Sequence, residues 1–441
     1  MEHSSVIVIG AGVAGLAAAK TLLEGGTAVT LLEARGQPGG RILTIKSQPG
    51  DLPIELGAEF VHGAQNATWD LIHAANLQTQ TVPDRHWTCQ DGSLEETSEF
   101  WEEFEEVNRR LSAQAADITF SSFLAHAQNL SDSAKTLAFE FVEGFHAAEA
   151  NRIGVHSVVR AETAAEQEKG THQFRIAHGY NNMVHWLFEH LCNRGIEVYL
   201  NTTVKVIRWK PGQVEVETHT PHGWRRFSAP RAVITLPLGV LQQTGPEAVW
   251  FEPNLADKEQ AIRGLAMGAV CKMTLRFRQR FWPVHDFGFI HCVDPWWPTW
   301  WSDERGLLLT CWAGGTRALR MQQLGCEERL LHAQDSLSQL FKTDQKKITE
   351  LLLDNYQHDW AHDPFSRGAY SYTPAGMLDM PQKLAEPVSD TLFFAGEATD
   401  SHGDQGTVHG ALASGLRAAS EILKKVPAAR RSHTRVYAQS K

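Results

Sequence analysis

The segment that most constrains the fold is Gly10-Ala11-Gly12-Val13-Ala14-Gly15, which fits G-x-G-x-x-G. It lies between a short apolar run, Ser5 to Ile9, and a helical stretch, Val13 to Glu24; a second apolar run, Val29 to Glu33, completes a β-α-β unit. In that setting the first glycine permits the tight turn, the second lets a diphosphate approach the backbone, and the third allows close helix–strand packing. The helix N-terminus adds amide donors and the positive end of the helix dipole. Glu33 closes the second strand, where an acid holds a ribose hydroxyl pair. Such glycines occur by chance in loops. Strand, loop, helix, strand and terminal acid in this order predict a bound dinucleotide.

Composition sets the scale around that unit. A chain of 441 residues is too long for one simple core, so two domains are expected. Hydrophobic residues at 42% and charged residues at 21% are globular proportions that exclude a disordered chain. No apolar run approaches the ~20 residues that span a bilayer. The N-terminus lacks a basic segment, so neither a membrane association nor a secretory signal is expected, and the predicted location is cytoplasmic. A net charge of −10 argues against nucleic acid and is compatible with a cationic small ligand. Six scattered cysteines without a C-x-x-C pair predict reduced, mostly buried thiols, with neither a zinc site nor disulfides.

Further along, residues 72–165 read as mainly helical, with seven glutamates between Glu95 and Glu106 and with Phe100, Phe104, Val107 and Leu111 on one helix face. Glu197 to Leu236 reads as strands with turns at Pro211-Gly212 and Pro221-His222-Gly223. Thr391 to Lys424 reads as strand, loop and long helix.

After Glu33, the run Ala34-Arg35-Gly36-Gln37-Pro38-Gly39-Gly40-Arg41 supplies a second glycine pair and two arginines. Here the chain resembles the flavin-dependent amine oxidases, and the resemblance recurs in order. It includes Leu56-Gly57-Ala58-Glu59-Phe60-Val61-His62-Gly63, with Phe60 where a tryptophan is usual, and Leu236 to Leu241. It continues through Gly268 to Phe277, which carries Lys272, and Trp360-Ala361-His362-Asp363-Pro364 with Gly368 to Tyr372. It ends with Phe394 to Thr399 and Thr407 to Ala411.

The resemblance implies an α/β fold: a doubly wound, Rossmann-like FAD-binding domain interleaved with a substrate domain of mixed sheet and helices. The expected division is 1–72, 178–244 and 384–426 for FAD, 73–177 and 245–383 for substrate, and a basic tail at 427–441. It implies FAD contacts from Gly10, Gly12, Gly15, Glu33, Arg35, Gly40, Arg41, Val204, Trp360, Glu397, Thr407 and Val408. Lys272, Tyr370 and His62 are the implied catalytic residues, with His62, Tyr370 and Thr407 facing substrate. Ala369 stands where monoamine oxidases carry a flavin-linked cysteine, so the FAD is expected to be non-covalent. The implied reaction takes hydride from a neutral amine to flavin N5, hydrolyses the imine and reduces O2 to H2O2, with polyamines or other alkyl amines as substrates. No nucleic-acid partner or metal is expected.

Other readings stand beside these. Lys272 in Val270-Cys271-Lys272-Met273-Thr274 also fits a snorkelling strand-edge lysine. An L-amino-acid oxidase shares the fold but needs a carboxylate-clamping arginine, and Gly57-Ala58-Glu59-Phe60 stands in place of that family's G-x-R-W. A monoamine oxidase and a flavin-bound chromatin module are further alternatives. Trp296-Trp297-Pro298-Thr299-Trp300-Trp301 fits either a cation-binding wall or core packing. His358 and His362 are spaced i, i+4 without the H-E-x-x-H pattern of a zinc site.

Overall fold

The computed structural model describes residues 2–3, 5–46, 52–63, 67–90, 93–97, 100–112, 114, 116–128, 130–167, 172–285, 287–303 and 305–425. The tail at 427–441 lies outside the described residues.

The apolar runs around the glycine loop form a parallel five-stranded sheet, in the order Glu197–Tyr199, Val29–Leu32, Val6–Ile9, Arg231–Ile234 and Leu392–Phe394. Numbered along the chain, that order is 3-2-1-4-5. The order reverses between Val6–Ile9 and Arg231–Ile234, and a doubly wound sheet opens its ligand crevice at such a reversal, beyond the carboxyl ends of the strands. Thr235 bridges the two strand ends there, donating from Oγ1 to the Ile9 carbonyl at 2.7 Å. Val6, Ile7, Val8 and Ile9 are all buried, as expected for strands covered on both faces.

One face of this sheet is covered by the helices Val13–Glu24, Asn181–Asn193 and Val408–Lys425. The first and last of these approach so closely that a Cβ at Gly415 would fall 2.1 Å from the Ala14 carbonyl oxygen. The other face packs on the sheet formed by Thr203–Lys210, Gln213–Thr220 and Gly223–Ala229. Trp250–Glu252 joins that second sheet in parallel with Thr203–Lys210, so the sheet draws on chain beyond residue 244.

A seven-stranded sheet lies elsewhere, ordered Leu352–Gln357, Val270–Phe277, Leu308–Gly314, Thr299–Asp303, Phe289–Cys292, His86–Gln90 and Ser93–Glu96. The helices Phe100–Ser112, Phe120–His126, Asp132–Phe145 and Val155–Gln167 share a separate apolar core. The mainly helical reading of 72–165 therefore needs correction at its start. Thr79–Thr81, His86–Gln90 and Ser93–Glu96 are strands, and Glu95 and Glu96 of the glutamate run belong to the last of them. These short stretches are extended because they complete sheet edges, a tertiary cause that local pattern does not carry. Val107 and Leu111 are fully buried as expected; the side chains of Phe100 and Phe104 lie outside the described residues.

The cysteines also differ from expectation. All six are free, but only Cys271 and Cys311 are buried, and Cys192 and Cys326 are exposed. Among the described residues, no helix is long and apolar enough to cross a membrane.

Candidate active site

A cavity of about 1100 Å³ opens at the reversal point of the parallel sheet and runs towards the seven-stranded sheet. Every site residue expected from sequence lines it except Gly15. Gly15 has a packing role: a Cβ there would fall 1.9 Å from the Gly10 carbonyl oxygen. At Gly12 and Gly396, by contrast, an added Cβ would meet nothing within 4 Å. Their bare backbone faces the cavity, and the helices that start at Val13 and Val408 present their N-termini to the same space. Open backbone and two positive helix ends suit the diphosphate and anionic ring of a flavin dinucleotide.

Glu33 is buried at its strand end, accepting from the Ala11 amide at 2.7 Å and the Arg35 amide at 2.8 Å. Burial pushes its carboxyl above the usual range, and these backbone donors oppose the rise. The Arg35 guanidinium makes paired bonds of 2.9 and 2.7 Å to Asp363 and lies 5.3 Å from the Phe365 ring centroid. Burial raises the Asp363 carboxyl, but His358 and Arg35 outweigh it and hold the group well below the usual carboxylate range. Asp363 was legible only as a motif letter; its service as the anchor of Arg35 was not. His358 thus belongs to this pair, at 2.9 Å from Asp363, while exposed His362 turns to Asp359 at 3.0 Å.

Val204 is buried on the cavity wall, and Trp360 donates from Nε1 to the Leu56 carbonyl at 2.9 Å. Thr407 caps the last helix: its Oγ1 accepts from the Gly410 amide at 3.0 Å and donates to the Asp404 carbonyl at 2.7 Å. Ala369 is buried, and its carbonyl accepts from Arg41 at 2.8 Å.

Lys272 sits on the strand Val270–Phe277, buried and cavity-facing. Its Nζ lies 2.8 Å from Glu59 Oε2 and 3.2 Å from the Gly57 carbonyl, with the Trp301 ring centroid 5.7 Å away. It does not snorkel to solvent: it is buried, on a strand paired on both sides from Met273 onward. Sequence reading missed Glu59. The one available signal was an acid inside an otherwise apolar motif.

Around Lys272 the wall is aromatic. Phe60 meets Trp301 and Phe289 edge-on, at centroid distances of 5.6 and 5.8 Å, and His62 meets Phe145 at 5.9 Å. Burial, with a smaller push from His409, lowers the His62 imidazole to about 4, so it is neutral near pH 7. Tyr370 donates from its hydroxyl to the Phe145 carbonyl at 2.6 Å, and burial raises that hydroxyl above its ordinary value. The tryptophan run divides: Trp297 and Trp300 are fully buried in the core of the seven-stranded sheet, while Trp301 lines the cavity. The cavity-lining arginines among the described residues are Arg35 and Arg41, both ion-paired.

The family model described as "Flavin containing amine oxidoreductase" matches residues 13–111 and 90–423. Human "Lysine-specific histone demethylase 2" is 28% identical, over 96% of this chain and 53% of its own length. The chain thus spans about half the length of that relative. "Probable polyamine oxidase 4" of Arabidopsis thaliana is also 28% identical, over 96% of this chain and 87% of its own. Among solved structures, putrescine oxidase bound to putrescine superposes with a TM-score of 0.79 at 20% identity, covering 96% of this chain and 99% of that one. Cyclohexylamine oxidase from Brevibacterium oxydans IH-35A gives 0.80 at 20%, with coverage of 96% and 99%. The family match spans most of the chain, and this protein belongs to the flavin containing amine oxidoreductases.

Proposed function

We propose that this protein is an FAD-dependent oxidase of amines that lack a neighbouring carboxylate, with alkyl amines and polyamines as its substrate class. The observation that carries the reading is a single cavity joining a bare-backbone cradle to an aromatic wall that bears one buried lysine. Bound in the cradle, FAD would supply the two-electron oxidation of the amine and the reduction of O2 to H2O2.

The protein's own groups would position and select. Gly12, Gly396 and the two helix N-termini would hold the dinucleotide, with Glu33 at the ribose and Ala369 leaving the flavin unlinked. Phe60, Trp301 and Tyr370 would enclose the alkyl body of the substrate and exclude water from it. Lys272 would present a donor to the reacting region, and neutral His62 would accept from a protonated nitrogen. Two features support a cation without a carboxylate. Both cavity arginines are already paired with acids, and Glu95, Asp132 and Glu162 add acidic side chains to the lining. The division of the chain into a cofactor unit and a substrate unit is part of the same proposal, as is action within the cytoplasm.

Anaerobic addition of alkyl amines to the purified yellow protein tests the reading. Bleaching of the flavin absorbance by amines supports it; bleaching by L-amino acids alone contradicts it.

A further inference from the structure

We propose that Glu59 is the positioning residue of Lys272, fixing it as an ammonium ion that offers a single N–H to the occupant of the cavity. The proposal rests on the reading of Lys272 as the donor beside the reacting region. An ammonium has three N–H groups. Glu59 Oε2 takes one at 2.8 Å and the Gly57 carbonyl takes another at 3.2 Å. Both partners come from one short segment, and that segment is tightly seated: a Cβ at Gly57 would fall 1.9 Å from the Arg41 carbonyl oxygen.

Glu59 is itself immobilised. Its Oε1 accepts from Arg175 Nε at 2.9 Å and from Trp301 Nε1 at 3.0 Å, while the Arg175 guanidinium lies 4.9 Å from the Phe60 ring centroid. Burial pushes the Glu59 carboxyl up, but the charges of Lys272 and Arg175 outweigh it and bring the group down to about 2. The other charges bearing on this group are Glu55, raised to about 7 by burial, and Arg305, which pairs with Asp303.

One carboxylate thus serves two cations, the buried Lys272 and the half-buried Arg175. Without it, Lys272 and Arg175 would both lose their ion-pair partner, with Glu55 the remaining carboxyl that bears on Lys272. With it, the lysine donates and does not accept. An entering ammonium therefore meets a cation, and its proton leaves by another group.

The test is a double-mutant cycle on the FAD-loaded protein, read as urea midpoints, with a pH series of flavin reoxidation. Glu59→Gln should lower the midpoint, and adding Lys272→Met to it should recover part of the loss. If Glu59→Gln alone does not fold, the double variant should restore a folded yellow protein. Losses that simply add, or a double variant that also fails to fold, overturn the proposal. After photoreduction and mixing with O2, the pH profile of reoxidation should shift in Glu59→Gln relative to the wild type, in which Glu55 already ionises near 7. Glu59→Asp, which keeps the charge, should retain the wild-type profile. An unchanged profile in Glu59→Gln overturns the proposal even if that variant is less stable. No amine enters either measurement, so failure of the substrate reading would show separately, as a wild type that amines do not reduce.

Discussion

Arg41 and Glu397 stand 356 positions apart in the chain and are joined by an ion pair of 2.8 Å in the cavity wall. The same carboxylate accepts from the Ser371 hydroxyl at 2.6 Å and from the Gly406 amide at 3.0 Å. One buried acid thus ties the second glycine-rich segment to the strand after Ala369 and to the loop before the last helix.

Glu397→Ala would remove the charged partner of Arg41, which keeps only the Ala369 carbonyl, and the acceptor of the buried Ser371 amide. Breaking a fully buried pair costs about 3–5 kcal/mol, and this pair, whose arginine is half-buried, costs less. The variant should unfold at lower urea and release its flavin at lower temperature, followed by flavin fluorescence. Wild-type behaviour in both would show that the loops hold together without this acid.

Gly12 and Gly15 should separate folding from cofactor binding. A Cβ at Gly12 meets no protein atom within 4 Å, so Gly12→Val should yield folded, colourless protein with flavin affinity reduced on the order of tenfold or more. Gly15→Val collides with the Gly10 carbonyl and should not accumulate as folded protein. Absorbance and circular dichroism distinguish the two. A yellow Gly12→Val protein would place the diphosphate elsewhere.

Alanine at position 369 cannot form a thioether. Acid precipitation should therefore leave the yellow colour in the supernatant, whereas colour that stays with the pellet would reveal a covalent attachment at another residue.

His62 should make the protein acid-sensitive. Its imidazole lies at about 4 in the folded state, against about 6.5 unfolded. Between those values the unfolded chain binds more protons, so stability rises with pH and is lost on acidification through that window. His291, lowered by burial to about 3, acts in the same direction. Thermal midpoints for His62→Gln across that range should fall less steeply than those of the wild type. Equal slopes would remove His62 as a source of the sensitivity.

Much of the cavity lining was legible because its signals are local. Gly10 to Gly15 and Glu33 occupy consecutive elements, and the backbone requirement that makes glycine necessary is written in the residue type itself. Ala369 and Lys272 were legible through motif position. The ties among them were not, because hydrogen bonding between distant segments leaves no periodicity. Arg35 reads as a ribose contact until Asp363, 328 positions later, is seen to hold its guanidinium. Glu59 reads as one motif letter until Lys272 and Arg175 converge on it. The strands at 79–96 failed for a related reason: short strands take their conformation from the neighbours they pair with.

Peroxide release by the purified, FAD-loaded protein decides whether it oxidises amines of this class. The panel is spermine, spermidine, acetylated polyamines, benzylamine and several L-amino acids, each across a pH series. The account predicts peroxide with amines that lack a neighbouring carboxylate. It also predicts kcat/KM rising with pH towards the pKa of the amine, since the reacting nitrogen must be neutral. A clear preference for L-amino acids, or no peroxide from any amine, would contradict it.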